Sequence, residues 1–287
     1  MRLPFVLARR FVAGETLENS LPVVHDLGSR GMSVALDLLG ESVRDRAVAE
    51  AGRDAYVQLV GEVARERRTR SLDANVSIKL SMMGQKIDED FCQENLRLLL
   101  DAARDEDVFV RLDMEGSDTT ASTLALFEKV YPDYPDHVGI VLQAYLKRSG
   151  RDVERMCALN ARVRICKGAY SEPPEVAYQD MDVIRERFMV YANKLIERSR
   201  FPGIATHDDR LISATKAFVE ARDIDRDRFE FQMLYGIRPD TQQHIVQEGY
   251  NMRIYLPYGT EWLPYFSRRL RERRENLWFV LRHLLSR

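Results

Sequence analysis

Short runs of β-branched and other apolar residues alternate along the chain with longer charged segments whose apolar positions recur every three or four residues. That alternation reads as strand, helix, strand, helix. Eight runs have strand character: SVALDLL (33 to 39), NVSIKLSM (75 to 82), VFVRLDME (108 to 115), GIVLQAYL (139 to 146), RVRICKGAY (162 to 170), GIATHD (203 to 208), FEFQMLYG (229 to 236) and MRIYLPYG (252 to 259). Helical segments follow them over roughly 42 to 70, 89 to 104, 119 to 130, 150 to 158, 175 to 199, 209 to 222, 239 to 248 and 261 to 285. In the first of these, Val48, Tyr56, Leu59 and Val63 share an apolar stripe. Start signals are Asp118 or Thr119, Asp208 with Asp209, and Asp240 with Gln243 three residues on. Gly40, Gly84, Gly116, Gly236 and Gly259 follow strand ends, where a turn often needs a permissive backbone.

Eight consecutive βα units of about 23 to 40 residues predict an α/β fold closed into an eight-stranded barrel. Residues 1 to 32 form a helical extension and 33 to 287 the barrel, as one compact domain. A doubly wound open sheet is the alternative, but the first strand ends LDLLGESV, without the glycine-rich turn of a dinucleotide site. No P-loop pattern occurs either. The start, MRLPFVLARRF, reads as an edge helix too short for a signal peptide, and no 18-residue apolar window is present. The expectation is a cytoplasmic protein, at most peripheral at the inner face of the membrane.

With 45% hydrophobic and 31% charged residues the chain has ample material for a core, which excludes a disordered or fibrous class. The 43 basic and 45 acidic residues leave a net charge of −2, so global charge points to no partner. Cys92, Cys157 and Cys166 lack the spacing of a disulfide scaffold or a zinc site and suit a reducing compartment.

In such a barrel, chemistry sits at the carboxyl ends of the strands. Those ends are polar here: Lys79 and Ser81, Asp113 and Glu115, Gln143 and Tyr145, Arg164, Lys167 and Tyr170, Thr206, His207 and Asp208, Gln232 and Tyr235, then Tyr255 and Tyr258. A structural barrel would fill its layers with Val, Ile and Leu, so this set implies a polar cavity. Lys79 and Asp113, one strand apart, are expected to form a partly buried ion pair. Arg164 and Lys167 place positive charge over the mouth, and Gly168 permits close approach of a ligand. His207 beside Asp208 fits a cofactor contact better than a catalytic base, for want of a nucleophile. A metal site from Asp113, Glu115, His207 and Asp208 lacks the usual ligand spacing. On the last helix Tyr265, Arg268, Arg269 and Glu272 fall three or four residues apart, where two guanidinium groups can grip a carboxylate and Glu272 can orient one of them.

The segments SIKLS, RLDMEGS, LQAYLKR, VRICKGAY, ATHD, FEFQMLYG, RIYLPYG and YFSRRLRE, in that order, resemble those of the bacterial single-function proline dehydrogenases over nearly the whole chain. The resemblance implies a distorted (βα)8 TIM-like barrel with the last helix over its mouth, non-covalent FAD, and oxidation of L-proline to 1-pyrroline-5-carboxylate with electrons passed to a membrane quinone. It implies Lys79, Asp113, Tyr255, Tyr265, Arg268 and Arg269 around the proline, Glu272 supporting the arginines, and Arg164 against the flavin ring. Met114, Gln143, Lys167, Gly168, Ala169, Tyr170, Thr206 and His207 would touch other parts of the cofactor. Asp113, Arg164 and Lys79 are thus the catalytic candidates. Ile165 and Cys166 depart from the family's usual Leu-Val without removing a polar role. The aldehyde dehydrogenase module of the two-function relatives cannot fit in 287 residues, so the product must leave or pass to a transient partner.

The competing enzyme class is a barrel aldolase or Schiff-base lyase using Lys79 or Lys167, which requires a lysine of lowered pKa. Residues 268 to 287 carry seven arginines against Glu272 and Glu275, but match no nucleic-acid motif, so no nucleic-acid partner is expected. The same segment, with Leu277, Trp278, Val280, Leu281 and Leu284, is a candidate for weak peripheral membrane contact weighed against packing on the barrel.

Overall fold

The structure is a computed structural model that describes residues 5–272; the side chains of Leu7, Arg268 and residues 270 to 272 are not described. Eight parallel strands, β1 (Ser33–Leu38), β2 (Ala74–Ile78), β3 (Val110–Leu112), β4 (Val138–Gln143), β5 (Arg162–Cys166), β6 (Gly203–Ala205), β7 (Glu230–Leu234) and β8 (Asn251–Tyr258), pair in chain order. β8 pairs with β1 from Ser33↔Arg253 to Leu38↔Tyr258 and closes the barrel. Each expected strand exists, but most stop short of the sequence reading because the polar residues at their ends turn into the mouth rather than continue the ladder.

Period-two alternation divides each strand between two environments. Leu36, Val76, Ile78, Leu112, Ile140, Val163, Ile165, Ile204, Phe231 and Ile254 belong to the large apolar cluster shared with the surrounding helices. The alternate positions are polar and buried: Asp37, Ser77, Lys79, Arg111, Arg164, Glu230, Gln232 and Arg253. Their hydrogen bonds cross from strand to strand, so the barrel interior is a polar network rather than layers of aliphatic side chains.

The helices are α1 (Leu17–Ser29), α2 (Arg46–Arg70), α3 (Glu89–Asp105), α4 (Ser117–Val130), α5 (Ser149–Ala158), α6 (Met181–Arg198), α7 (Asp209–Ala221), α8 (Pro239–Gln247) and α9 (Trp262–Glu272). Asp45, Asp88, Asp180 and Asp208 cap α2, α3, α6 and α7 through their carboxylates. Two expected start signals fail. The cap position of α4 is Gly116, and that of α8 is Arg238, neither with a side-chain cap, and Asp118 and Asp240 lie inside the first turns. Val48 also leaves the stripe: Tyr56, Leu59 and Val63 are buried, whereas Val48 is exposed at the start of α2. Of the five glycines placed at strand ends, Gly84, Gly236 and Gly259 take positive φ; Gly40 and Gly116 do not.

Among the described residues of the amino-terminal segment, 5 to 11 hold a single 3-10 turn, Phe5–Leu7, where an edge helix was expected. Ala8, Phe11 and Val12 are fully buried against Trp262, Tyr265 and Phe266 of α9. Backbone bonds from Ala13 to Pro257 and from Gly259 to Gly14 tie the segment to the end of β8. A Cβ on Gly236 would overlap the Arg10 carbonyl, so that turn can approach only because it lacks a side chain. This packing sets α9 over the carboxyl ends of the strands. The remainder of the expected 261 to 285 helix, with Arg273, Arg274 and the apolar set from Leu277 to Leu284, lies outside the described residues.

Candidate active site

A cavity of about 980 Å³ opens at the carboxyl ends of the strands. Its wall includes Lys79, Asp113, Met114, Gln143, Arg164, Lys167, Gly168, Ala169, Tyr170, Thr206, His207, Tyr255, Tyr265 and Arg269. Every predicted site residue whose side chain is described therefore faces one space; the side chains of Arg268 and Glu272 lie outside the described residues. Glu115, Gln232 and Asp208 also line the cavity, whereas Ser81, Tyr235 and Tyr258 do not. Ser81 donates to Glu115, Tyr258 joins the apolar cluster, and Tyr235 faces a second cavity beside α1.

The expected Lys79–Asp113 ion pair does not form. Lys79 Nζ instead lies 2.7 and 2.9 Å from the two oxygens of Asp37, a fully buried carboxylate on β1. Asp113 accepts from Arg164 Nη1 and from the Tyr255 hydroxyl, both at 2.7 Å. Lys79 has a carboxylate on either side: the β2–β3 register carries it opposite Asp113, and Asp37 lies opposite Ser77 on β1. Both Asp113 oxygens are engaged by Arg164 and Tyr255, and Lys79 turns to Asp37. The two ion pairs join where Lys79 Nζ lies 3.5 Å from the Tyr255 oxygen.

Burial raises the Asp37 carboxyl above its ordinary value even against the pull of Lys79. Burial would depress the Lys79 ammonium, but Asp37 and Asp113 outweigh it and hold its pKa above the ordinary lysine value. That is the opposite of a Schiff-base lysine. Lys167 Nζ lies 3.1 Å from Asp208, with which it forms an ion pair. Burial and the Asp113 charge push the Tyr255 hydroxyl well up, so it stays protonated and donates. Cys166, the family departure in this wall, is pushed up to about 11 by burial and remains a thiol.

On the opposite side, the loop from β5 to α6 crosses the cavity. Gly168 takes φ +115°, and a Cβ there would lie 2.3 Å from the Tyr145 ring. Glu172 reaches from this loop to the amino terminus of α4, accepting from the Ser117 amide at 2.7 Å and from its hydroxyl at 2.5 Å. His207 Nε2 accepts from the Leu234 amide at 2.9 Å, which braces the end of β7. Asp208 binds Lys167 and, at 2.8 Å, Arg185 Nε. Against its partial burial, these cations draw its pKa down to about 2. From α9, Arg269 stacks on Tyr265 with its guanidinium carbon 5.2 Å from the ring centre.

Asp37, Glu172, Arg185 and Arg238 were not anticipated from sequence. For Asp37 a signal existed: a lone carboxylate inside VALDLL has to meet a cation if the strand is buried. For the other three, on loops and a helix whose approach to the mouth depends on the fold, no local pattern points to the cavity.

The sequence matches the family described as Proline dehydrogenase over residues 20–282. It is 40% identical over 284 residues to Proline dehydrogenase of Deinococcus radiodurans, covering 98% of this chain and 90% of that one. To Proline dehydrogenase 2 of Bacillus subtilis strain 168 it is 38% identical over 277 residues, covering 96% and 90%. The fold superposes with TM-score 0.87 and 27% identity on crystalline proline utilization A (PutA) from Bdellovibrio bacteriovorus inactivated by N-propargylglycine, over 93% of this chain. The chain spans 32% of the length of that PutA. Given this match along almost its whole length, together with a closed βα barrel whose polar mouth gathers the SIKLS, RLDMEGS and KGAY segments, the chain belongs to the proline dehydrogenase family.

Proposed function

We propose that this enzyme oxidises L-proline to 1-pyrroline-5-carboxylate using non-covalently held FAD, in the first step of proline degradation, and that the electrons pass to a membrane quinone. The observation that carries this reading is the arrangement across one cavity of an Asp113–Tyr255–Arg164 cluster facing Arg269 and Tyr265 of α9. The residues present suit a flavin. The cavity volume is of the order of cofactor sites, and Gln143 Oε1, buried in its wall, has no hydrogen-bond partner among the described residues. A bound donor would satisfy that acceptor. Met114, Gln143, Arg164, Lys167, Gly168, Ala169, Tyr170, Thr206 and His207 are the residues that would hold the cofactor.

FAD, when bound, supplies the acceptor for a hydride from the proline carbon next to nitrogen. The protein's part is to bind and orient the substrate. Arg269, with Arg268 beside it in sequence, binds the carboxylate, and the Tyr265 and Tyr255 rings wall the pyrrolidine. Asp113 uses one oxygen for Arg164 and the other for Tyr255, and a carboxylate has about four acceptor sites. It therefore keeps capacity for the substrate N–H. Lys79, neutralised by Asp37, closes the floor beside it. The Arg164 cation stabilises negative charge that develops in the site during oxidation.

No helix among the described residues is long and apolar enough to cross a membrane. Contact with a quinone-bearing membrane would therefore be made by a surface, and the expected candidate, 277 to 284, lies outside the described residues. The test is an anaerobic absorption spectrum of purified protein. Flavin bands should be present and should bleach with L-proline, but not with D-proline, whose ring lies on the wrong side of the carboxylate clamp, or with glutamate, which has no ring. A colourless protein, or equally fast bleaching by glutamate, refutes the reading.

A further inference from the structure

Arg164 is fixed by contacts from three other strands. Nη1 donates to Asp113 at 2.7 Å just beyond β3, Nη2 to Ser77 Oγ at 3.0 Å on β2, and Nε to Gln232 Oε1 on β7. Three contacts that do not lie on one line define the plane of the guanidinium. Without the third, the group could turn about the line joining the other two.

The amide of Gln232 has nearly the same shape either way round, but a reversed amide would set its NH2 against the guanidinium, donor against donor. Glu230 decides the orientation. Its Oε1 accepts from Gln232 Nε2 at 2.5 Å, and an ionised carboxylate has nothing to donate in return. Glu230, only 2% exposed, is ion-paired with Arg253, whose Nε lies 2.9 Å from both of its oxygens. Arg253 is itself anchored on the Val34 carbonyl and on Asp73. The donor end of Gln232 is therefore committed to Glu230 and the acceptor end to Arg164.

Room for this crossing comes from β6. The register places Gly203 directly between Arg164 on β5 and Glu230 on β7. A Cβ on Gly203 would lie 2.4 Å from Gln232 Nε2, so any side chain there would push the amide aside. Glycine weakens a strand interior, and here its missing side chain is the space the amide occupies.

We propose that Gln232 is a positioning residue for Arg164, with Glu230 setting the orientation of its amide and Gly203 leaving it room to cross. This rests on the reading that Arg164 serves a bound flavin. The experiment compares holoenzymes of wild type, Gln232→Leu, Gly203→Ala, Arg164→Met and the doubles of the first two variants with Arg164→Met. Flavin content, the flavin absorption spectrum, KM for L-proline and the rate of anaerobic flavin reduction are measured on each. Gln232→Leu and Gly203→Ala should each slow reduction by about tenfold or more with less than about threefold change in KM. Both should retain flavin and displace its absorption bands in the same direction as Arg164→Met. Each double should be no slower than Arg164→Met alone, because a residue acting through another adds nothing once that other is gone.

Losses that multiply in the doubles, or wild-type rates and spectra in the single variants, overturn the proposal. Should Gln232→Leu fail to fold, Gly203→Ala, which removes no polar group, makes the same comparison. Arg164→Met reducing at the full rate would instead remove Arg164 from the flavin site, a result separable from failure of Gln232 alone.

Discussion

Asp37 shows how a single side chain sets the state of its neighbour. It is fully buried, and its contact with Lys79 is an ion pair closed off from water on almost every side. Such a pair adds little net stability over an apolar replacement, but removing one partner strands a charge. Asp37→Ala should therefore cost roughly 3 to 5 kcal/mol in urea unfolding, and adding Lys79→Met should restore most of the loss. A single-variant cost below about 1 kcal/mol would mean that water or another carboxylate reaches Lys79. The sequence makes Lys79 and Asp113 visible as charges at strand ends, but side-chain reach assigns the partners. Two acids compete for two cations, and contacts across the barrel interior rather than strand register settle it: Asp113 takes Arg164 from β5, and Asp37 takes Lys79.

The helix α4 and the β5–α6 loop form a unit that neither segment specifies alone. Gly116 offers α4 no side-chain cap, leaving donors at its first turn. Glu172 supplies the carboxylate from a loop 55 residues away, at the end of a helix dipole that favours negative charge. The same contact holds the loop across the cavity, together with the bridge Leu146↔Ala177. Glu172→Ala should weaken flavin retention and speed limited proteolysis within 167 to 180, while the unfolding midpoint of the barrel shifts little. Unchanged proteolysis would show that the bridge and Gly168 suffice to hold the loop. The failed reading of Asp118 as a cap has the same origin: a local rule looks for a cap next to the helix, and this one arrives through space.

Over the whole molecule, strand order and closure bring Lys167, Arg185 and Asp208 together from the β5–α6 loop, α6 and the end of β6. Asp208 titrates near 2 in the folded protein against an ordinary value of 3.8. The unfolded chain therefore binds more protons between those values, and the stability from this carboxylate is complete above about pH 4 and lost as pH falls toward 2. Asp208→Asn should flatten that part of the acid-unfolding profile relative to wild type while removing a constant amount of stability at neutral pH. Identical slopes between pH 4 and 2 would mean that the carboxylate is not paired in solution. Long-range assembly also explains α9. Phe11 and Phe266 lie 6.3 Å apart between ring centres, so the amino-terminal segment seats the helix that carries Tyr265 and Arg269.

Eight short apolar runs alternating with longer amphipathic segments were enough to point to eight βα units and hence a barrel, because each strand must bury an apolar face against a helix whatever its neighbours are. The polar strand ends likewise announced a cavity, since so many charged groups could not all be expelled from eight strands. Closure of the barrel then determined which groups meet: Asp37 with Lys79, Glu172 with α4, and Gln232 with Arg164 across a glycine. Hydrogen bonds and ion pairs act over about 3 Å, whereas these partners are separated by tens of residues, so no local pattern encodes them.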